Sequence, residues 1–529
     1  MASLNQHTPS STSLAPILTV PNEILIQISC YFCIQCRHPR VGEISDDEAT
    51  AAVRDQTVLA NLSASCRRLR AVAQPVLFHF FHPLERDYSE VLLRLSRFAC
   101  TLCHRRGLAA SVRSLVFWLP DYYDPKHDTR KALEIEDLVM DNSPTYERAA
   151  AELGRSWSLR VYIFLKDLQE LTTALASRLT YVLLQREFEP FSSTWQKWPC
   201  LMEGLRHVVL VGFRKWCLQD ESYCSFHIKE ARAFLRHARN VESLVAADCG
   251  ADGCEPDFDL VTEHYKWKPG SWDVELPRLR KLSISGNNIG PDDVEAIIRH
   301  SAVFEDLEFC QSSWGRYILD LDKHLGVAKQ TLKRLCYSAF PMKTGFRMNT
   351  PDARGIYFAG EVEARTGESY FDPTKNPLQG FAAGLSLKDF NALETLELEQ
   401  LILYGPVFEK PENVEHDRSC RAVSKYAFLD KFPPSLVRLR IGCIFHWPII
   451  FRDMLAMAQE RARFPNLRPI TPEVHKIPPR EDFDCLGERF REAGIELSIC
   501  SVLRDAFSRG LLPTRPGFVA FLPKPVTYN

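Results

Sequence analysis

The chain has 529 residues, 45% apolar and 25% charged, and a formal net charge of −2 at neutral pH. That length exceeds what one compact core usually serves, so several domains or one elongated array is expected. The near-zero charge gives no electrostatic signature of a nucleic-acid or membrane-surface binder, and no apolar run approaches transmembrane length.

The 17 cysteines follow no repeating spacing. Their number is odd and a chain of this size needs no disulfides, so reduced thiols in cytoplasm or nucleus are expected. Residues 1–15 are rich in Ser, Thr and Pro and carry no Lys or Arg. They lack the pattern of a signal peptide and are expected to be disordered.

Residues 14–35 read LAPILTVPNEILIQISCYFCIQ. Pro21 suits a first helical turn, Thr19 is a possible cap, and Glu23 favours the positive end of the helix dipole. Ile24, Leu25, Ile28 and Tyr31 or Phe32 fall at helical spacing. A second helix is expected over Thr57–Ala73, TVLANLSASCRRLRAVA, with Leu59, Leu62, Cys66, Leu69 and Val72 or Ala73 on its apolar stripe and Pro75 ending it. Periodicity alone predicts no more than two amphipathic helices packed together.

The words themselves are more specific. Pro21-x-Glu23-Ile24-Leu25-x-x-Ile28, Leu62-Ser63-x-x-Cys66-Arg67-Arg68-Leu69-Arg70 and Pro75-x-Leu77-Phe78 resemble the F-box in order and type, most closely that of fungal F-box proteins. The resemblance implies an F-box over residues 16–82 that docks a SKP-family adaptor and, through it, a cullin. It implies adaptor contacts from Pro21, Ile24, Leu25, Ile28, Leu62, Cys66 and Leu69. Residues 36–56 depart from the pattern. They are a polar, acidic insertion between the helices, expected to be a mobile loop away from the docking face.

Cys30, Cys33, Cys36 and His38 supply four residues of zinc-ligating type. Cys30 and Cys33 fall within or at the end of the first helix, however, and structural zinc ligands more often form two separated pairs. Core or surface thiols are the expectation, with no metal and no cofactor.

Residues 83–529 carry a short recurring pattern, apolar-x-x-apolar-x-apolar. It appears at Val112/Leu115/Phe117, Leu179/Val182/Leu184, Leu205/Val208/Leu210 and Val241/Leu244/Ala246. It continues at Leu279/Leu282/Ile284, Phe304/Leu307/Phe309, Leu332/Leu335/Tyr337, Leu393/Leu396/Leu398 and Leu436/Leu439/Ile441. Phe464/Leu467/Ile470 and Ile495–Cys500 are weaker copies. One copy, LRKLSISGNNI, fits the whole leucine-rich-repeat word through Asn287 and Ile289, followed by a returning helix over 291–298. Polar insertions are expected near 343–380 and 409–421. The expected fold is α/β: a small helical F-box followed by a curved, leucine-rich-repeat-like solenoid, against an ordinary α/β domain as the alternative.

No phosphate loop, nucleophile elbow or paired-histidine zinc motif occurs, so no enzymatic activity is expected. Asp121, Asp124, His127 and Asp128 read as a solvated loop, Cys100-x-x-Cys103-His104 has no second pair, and Trp267 and Trp272 read as loop packing. Between the inward-pointing strand residues, Lys281, Ser283, Glu308, Arg334, Glu397 and Arg440 should line an exposed sheet face. Their mixed charge suits a protein target. The resemblance implies a non-catalytic substrate receptor of a SKP–cullin–F-box ubiquitin ligase, with a binding scaffold that directs no ubiquitin transfer as the alternative.

Overall fold

A computed structural model of the chain describes residues 16–37, 46–82, 88–117, 129–152, 171–186, 202–212, 214–215, 223–224, 231–247, 272–287, 291–311, 321–338, 386–404, 428–444, 447–474 and 479–501. The N-terminal segment 1–15 and the expected insertions 343–380 and 409–421 lie outside them.

Helix α1 (Asn22–Tyr31) starts behind Pro21, which is itself the N-cap and makes no side-chain cap bond; Thr19 belongs to a preceding 3-10 turn instead. After the short α2 (Ile34–Arg37), α3 (Asp46–Ser65) and α4 (Arg67–Leu77) follow. The single helix expected over 57–73 is therefore two. Cys66 is extended (φ −158°, ψ 167°), breaks the run, and accepts the Leu69 N–H at 3.5 Å on its Sγ, capping α4. Pro75 does not end α4, which runs on to Leu77. This close to the helix end, the missing N–H costs one intrahelical bond and the last turn survives.

The 36–56 insertion is not simply a loop. Residues 46–56 form the first half of α3. Asp55 pairs with Arg37 at 2.5 Å, and the Gln56 side-chain amide reaches the Phe80 carbonyl at 3.5 Å. Residues 38–45 lie outside the described residues.

Two small apolar clusters hold these helices. Leu25, Leu69 and Val72 form one, flanked by Val20, Leu62 and Cys66; Cys33, Leu59, Ala73 and Val76 form the other. Arg68 Nε donates to Asn22 Oδ1 at 3.0 Å, tying α4 to α1.

Beyond them the described residues form one 13-stranded sheet. Its strands are β1 (Phe80–Phe81), β2 (Ser114–Phe117), β3 (Tyr181–Arg186), β4 (His207–Gly212), β7 (Ser243–Ala247), β8 (Lys281–Asn287) and β9 (Asp306–Gln311). They continue with β10 (Arg334–Ser338), β11 (Thr395–Glu399), β12 (Arg438–Ile444), β13 (Pro469–Val474), β14 (Glu496–Leu497) and β15 (Cys500–Ser501). Two-residue strands β5 (Arg214–Lys215) and β6 (Tyr223–Cys224) form a separate antiparallel pair. Every pairing in the large sheet is parallel, and neighbours follow chain order from β1 to β14, with β15 beside β13. The order never reverses, unlike that of a doubly wound sheet.

The repeated triplets explain the register. Leu115, Val182, Val208, Leu244, Leu282, Leu307, Leu335, Leu396, Leu439 and Ile470 face one another across successive strands, all essentially inaccessible. The third members, from Phe117 to Ile441, form a second buried row, and the first members pack where the chain enters each strand. The copy at Phe464/Leu467/Ile470 was placed one step out of phase. Ile470 pairs with Leu439, so Leu467/Ile470/Pro472 is the equivalent set. The returning helix occupies Pro291–Ile298 as expected, burying Val294, Ile297 and Ile298.

The opposite face changes character along the sheet. Over the first strands it is apolar: Phe80, Val116, Tyr181, Leu183, Val209, Val211 and Val245 cluster with Ile34 of α2. From β8 onward the matching positions are Ser283, Glu308, Cys336, Glu397 and Arg440.

Two outcomes follow. Leu335→Ala, in the middle of the buried row, should cost about 2–5 kcal/mol in chemical denaturation. His82, just after β1, is buried, and burial, aided by the charge of Arg94, pushes its imidazole down to about 3. Below the unfolded value near 6.5 the unfolded chain binds a proton that the native chain refuses. Stability should therefore fall as pH drops from ~6.5 toward ~3, and His82→Phe should flatten that slope in urea titrations at stepped pH.

Candidate functional site

The residues expected at an adaptor surface divide into two groups. Ile24 and Ile28 of α1 are 43% and 40% exposed, Tyr31 is 69% exposed, and Pro21 is exposed at the helix start. At helical spacing 21, 24, 28 and 31 share one side of α1, while Leu25 and Ser29 turn into the helical pack. Leu25 and Leu69 are buried and hold the helices to each other; Leu62 and Cys66 are half-buried at the seam. Leu25 and Leu69 are thus packing residues within the helical unit. Ile26 and Val58 are further exposed apolar residues of the same unit that the sequence reading did not include.

The expected target-binding face is also corrected. Ser283 is 1% exposed and Glu397 is 6% exposed, so neither lies open; Lys281, Glu308, Arg334 and Arg440 are half-buried. The strand alternation itself stands, since Leu282, Ile284, Leu396 and Leu398 fill the other side. What closes the face is charge pairing across strands. Arg334 contacts Asp306 at 2.9 Å and Glu397 at 3.5 Å; Arg440 contacts Glu397 at 3.8 Å and Glu473 at 3.0 Å. Each long side chain lies over its neighbour, and Glu397 sits beneath two guanidinium groups. Burial pulls the Arg334 guanidinium down, but the carboxylates of Asp306 and Glu397 outweigh it and hold it above its ordinary value. Ser283 Oγ donates to Glu308 at 3.4 Å, and the Ser338 hydroxyl donates to Glu399.

Of the cysteine–histidine groups, Cys100 donates from Sγ to Asn142 Oδ1 at 3.0 Å and belongs to helix packing between α5 (Tyr88–His104) and α6 (Thr129–Glu152). Trp272 is buried, its indole N–H donating to the Val274 carbonyl at 2.8 Å, a packing role as expected. Asp121, Asp124, His127, Asp128, Trp267 and His38 lie outside the described residues.

Cys33 and Cys36 instead meet His79, with all their ligand atoms within 4.8 Å of one another. A hydrogen bond from Cys36 favours the Cys33 thiolate and lowers its pKa against the opposing effect of burial, while Cys36 is pushed up to about 12 by the same bond and by burial. His79 carried no signal in the sequence because it is more than forty residues from the cysteines.

No protein-family model and no curated protein matches this chain. Among the described residues no helix is long and apolar enough to cross a membrane.

Replacing Glu397 by Ala leaves Arg334 with Asp306 and Arg440 with Glu473. The loss should therefore be about 1–3 kcal/mol, below the ~3–5 kcal/mol of breaking an isolated buried pair. A denaturant double-mutant cycle between Arg334 and Glu397 should show coupling above ~0.5 kcal/mol.

Proposed function

We propose that the chain is the substrate-receptor subunit of a SKP–cullin–F-box ubiquitin ligase, as its N-terminal words suggest by their resemblance to the F-box. In this proposal the helices over 16–82 dock a SKP-family adaptor. The repeated strand–helix units form a leucine-rich-repeat-like solenoid that holds a target protein. The receptor performs no chemistry; it contributes proximity and orientation to a transfer carried out by other subunits.

The observation that carries this proposal is the open apolar side of α1. Single exposed apolar residues are ordinary on a protein surface, but Pro21, Ile24, Ile28 and Tyr31 align on one helix whose other side is already packed. A helix with one apolar side inward and a second one outward has a binding surface left over. The chain-order parallel sheet supports the solenoid half, because a strand–helix unit cannot bury its own apolar face and gains a core only by stacking.

Co-purification of the full chain tests this reading. Adaptor recovered together with cullin supports the ligase; adaptor without cullin supports a scaffold; recovery of neither sinks the ligase and leaves only a scaffold that uses no adaptor. Ile24→Glu with Ile28→Glu should abolish adaptor capture and leave the melting temperature nearly unchanged, since both residues face solvent. Leu25→Ala should behave differently, lowering stability by about 2–5 kcal/mol whatever it does to capture. Unchanged adaptor affinity in the double Glu variant would remove the α1 stripe from the interface.

A further inference from the structure

We propose a structural zinc site in which Cys33, Cys36 and His79 bind the ion and Cys30 closes the tetrahedron, clamping the N-terminal helices to the first strand of the sheet.

The distances are those a zinc ion asks for. Cys36 Sγ lies 3.3 Å and Cys33 Sγ 3.9 Å from His79 Nδ1. Zinc bonds of about 2.3 Å to sulfur and about 2.0–2.1 Å to nitrogen, at the tetrahedral angle, separate the two ligand atoms by about 3.6 Å, and the two distances bracket that value. The fourth residue comes from the turn before: Cys30, whose carbonyl accepts the Cys33 N–H at 3.1 Å, packs against the same cluster, and its sulfur, outside the 4.8 Å group, would turn toward the ion to complete the tetrahedron.

The local backbone brings the thiols to one side. The Cys33 N–H donates to the Cys30 carbonyl and the Cys36 N–H to the Cys33 carbonyl, each at 3.1 Å, so two successive turns present residues three apart. His79 arrives from the other end of the helical unit and is fixed by its own backbone. Its N–H donates to the Val76 carbonyl at 3.1 Å, and its carbonyl accepts from Arg113 and Ser114 at 2.9 Å. Leu59, Ala73 and Val76 wall Cys33 off from water.

Ordinary core packing accounts for Cys33 but not for the group. Cys36 is an exposed residue, yet its sulfur is aimed at an imidazole on a distant part of the chain. Three soft sulfurs and one imidazole suit zinc and disfavour calcium or magnesium, which take oxygen. On binding, the three thiols release their protons to solvent and the neutral imidazole coordinates through Nδ1, with no change of oxidation state. The clamp acts on folding, and it holds whether or not the helices dock an adaptor.

The test uses the full chain purified under reducing conditions. Elemental analysis should find about one zinc per chain. Exchange for cobalt(II) should give the intense visible bands of a tetrahedral thiolate site, with thiolate-to-cobalt charge transfer. Cys36→Ser and His79→Asn should each lose the metal, and Cys30→Ser should weaken the charge-transfer band. Should these variants misfold, the wild-type cobalt spectrum still decides, together with alkylation of the reduced chain mapped by mass spectrometry. Zinc should protect Cys33 and Cys36 from alkylation, and a chelator should expose them. Absence of both stoichiometric metal and tetrahedral cobalt bands overturns the site, as does a Cys33–Cys36 disulfide in the metal-free native chain. Metal retained by both Cys36→Ser and His79→Asn places it elsewhere and overturns the site too. A cobalt spectrum unaltered by Cys30→Ser overturns the four-ligand set.

Discussion

A single column of backbone carbonyls sets the geometry of this molecule. The His79 carbonyl accepts N–H groups from Arg113 and Ser114; Arg113 does the same for Thr180 and Tyr181, and Thr180 for Arg206 and His207. The relay continues through Arg206, Glu242, Arg280, Glu305, Lys333 and Glu394, each taking two adjacent N–H groups from the start of the next strand at 2.7–3.0 Å. It narrows at Val437, which receives only Arg468, because Pro469 has no N–H to give. Where one carbonyl grips two successive amides, the following strand cannot slide by a residue. A slip would turn every side chain to the wrong face, so the column fixes which residues enter the core.

That constraint explains why the sheet tolerates such uneven spacing. Leu279, Phe304 and Leu332 open successive units 25 and then 28 residues apart, and Leu393 opens the next after 61. Each unit needs only to return to the same entry point, where its first apolar residue packs and its amides meet the previous carbonyl. Lengthening the connection adds loop-closure entropy that grows slowly with length. Nearest-neighbour stacking then supplies the core, and no distant contact has to be satisfied at the same time.

The same logic marks what was legible in the sequence. The apolar triplets named the strands and their inward residues from Val112 to Ile441, because period-two alternation and burial are local properties. The two helical stripes, on Ile24–Phe32 and Leu59–Ala73, were legible for the same reason, and so was the returning helix at Pro291. The break at Cys66 was not, since a sulfur accepting an amide leaves no mark in periodicity. The helical start of α3 was hidden by its polarity; polar residues with good helix propensity read as loop until a partner such as Arg37 is in place. Ser283 and Glu397 were assigned the correct face but the wrong exposure. Alternation tells which way a side chain points, while burial depends on which neighbours lie over it, and the partners of Glu397 are two strands apart from each other.

The two faces of the molecule therefore differ in what they leave available. Along β9–β13 the charges run Asp306, Arg334, Glu397, Arg440, Glu473, each already paired to the next. A charged ligand laid on that ridge would have to displace an existing ion pair for each new one, so the exchange yields little net energy and mainly selects for a matching pattern. On α1 the exposed side chains are apolar: covering Ile24, Ile28 and Tyr31 would remove apolar surface from water without displacing an ion pair seen among the described residues. Open apolar surface therefore lies at the helical end, and paired charge lies along the strands. The Ser114–Gln35 hydrogen bond and the seat of Ile34 against Val116 and Leu183 join the two ends through packed core, so the helical end is held in a fixed relation to the first strands of the sheet.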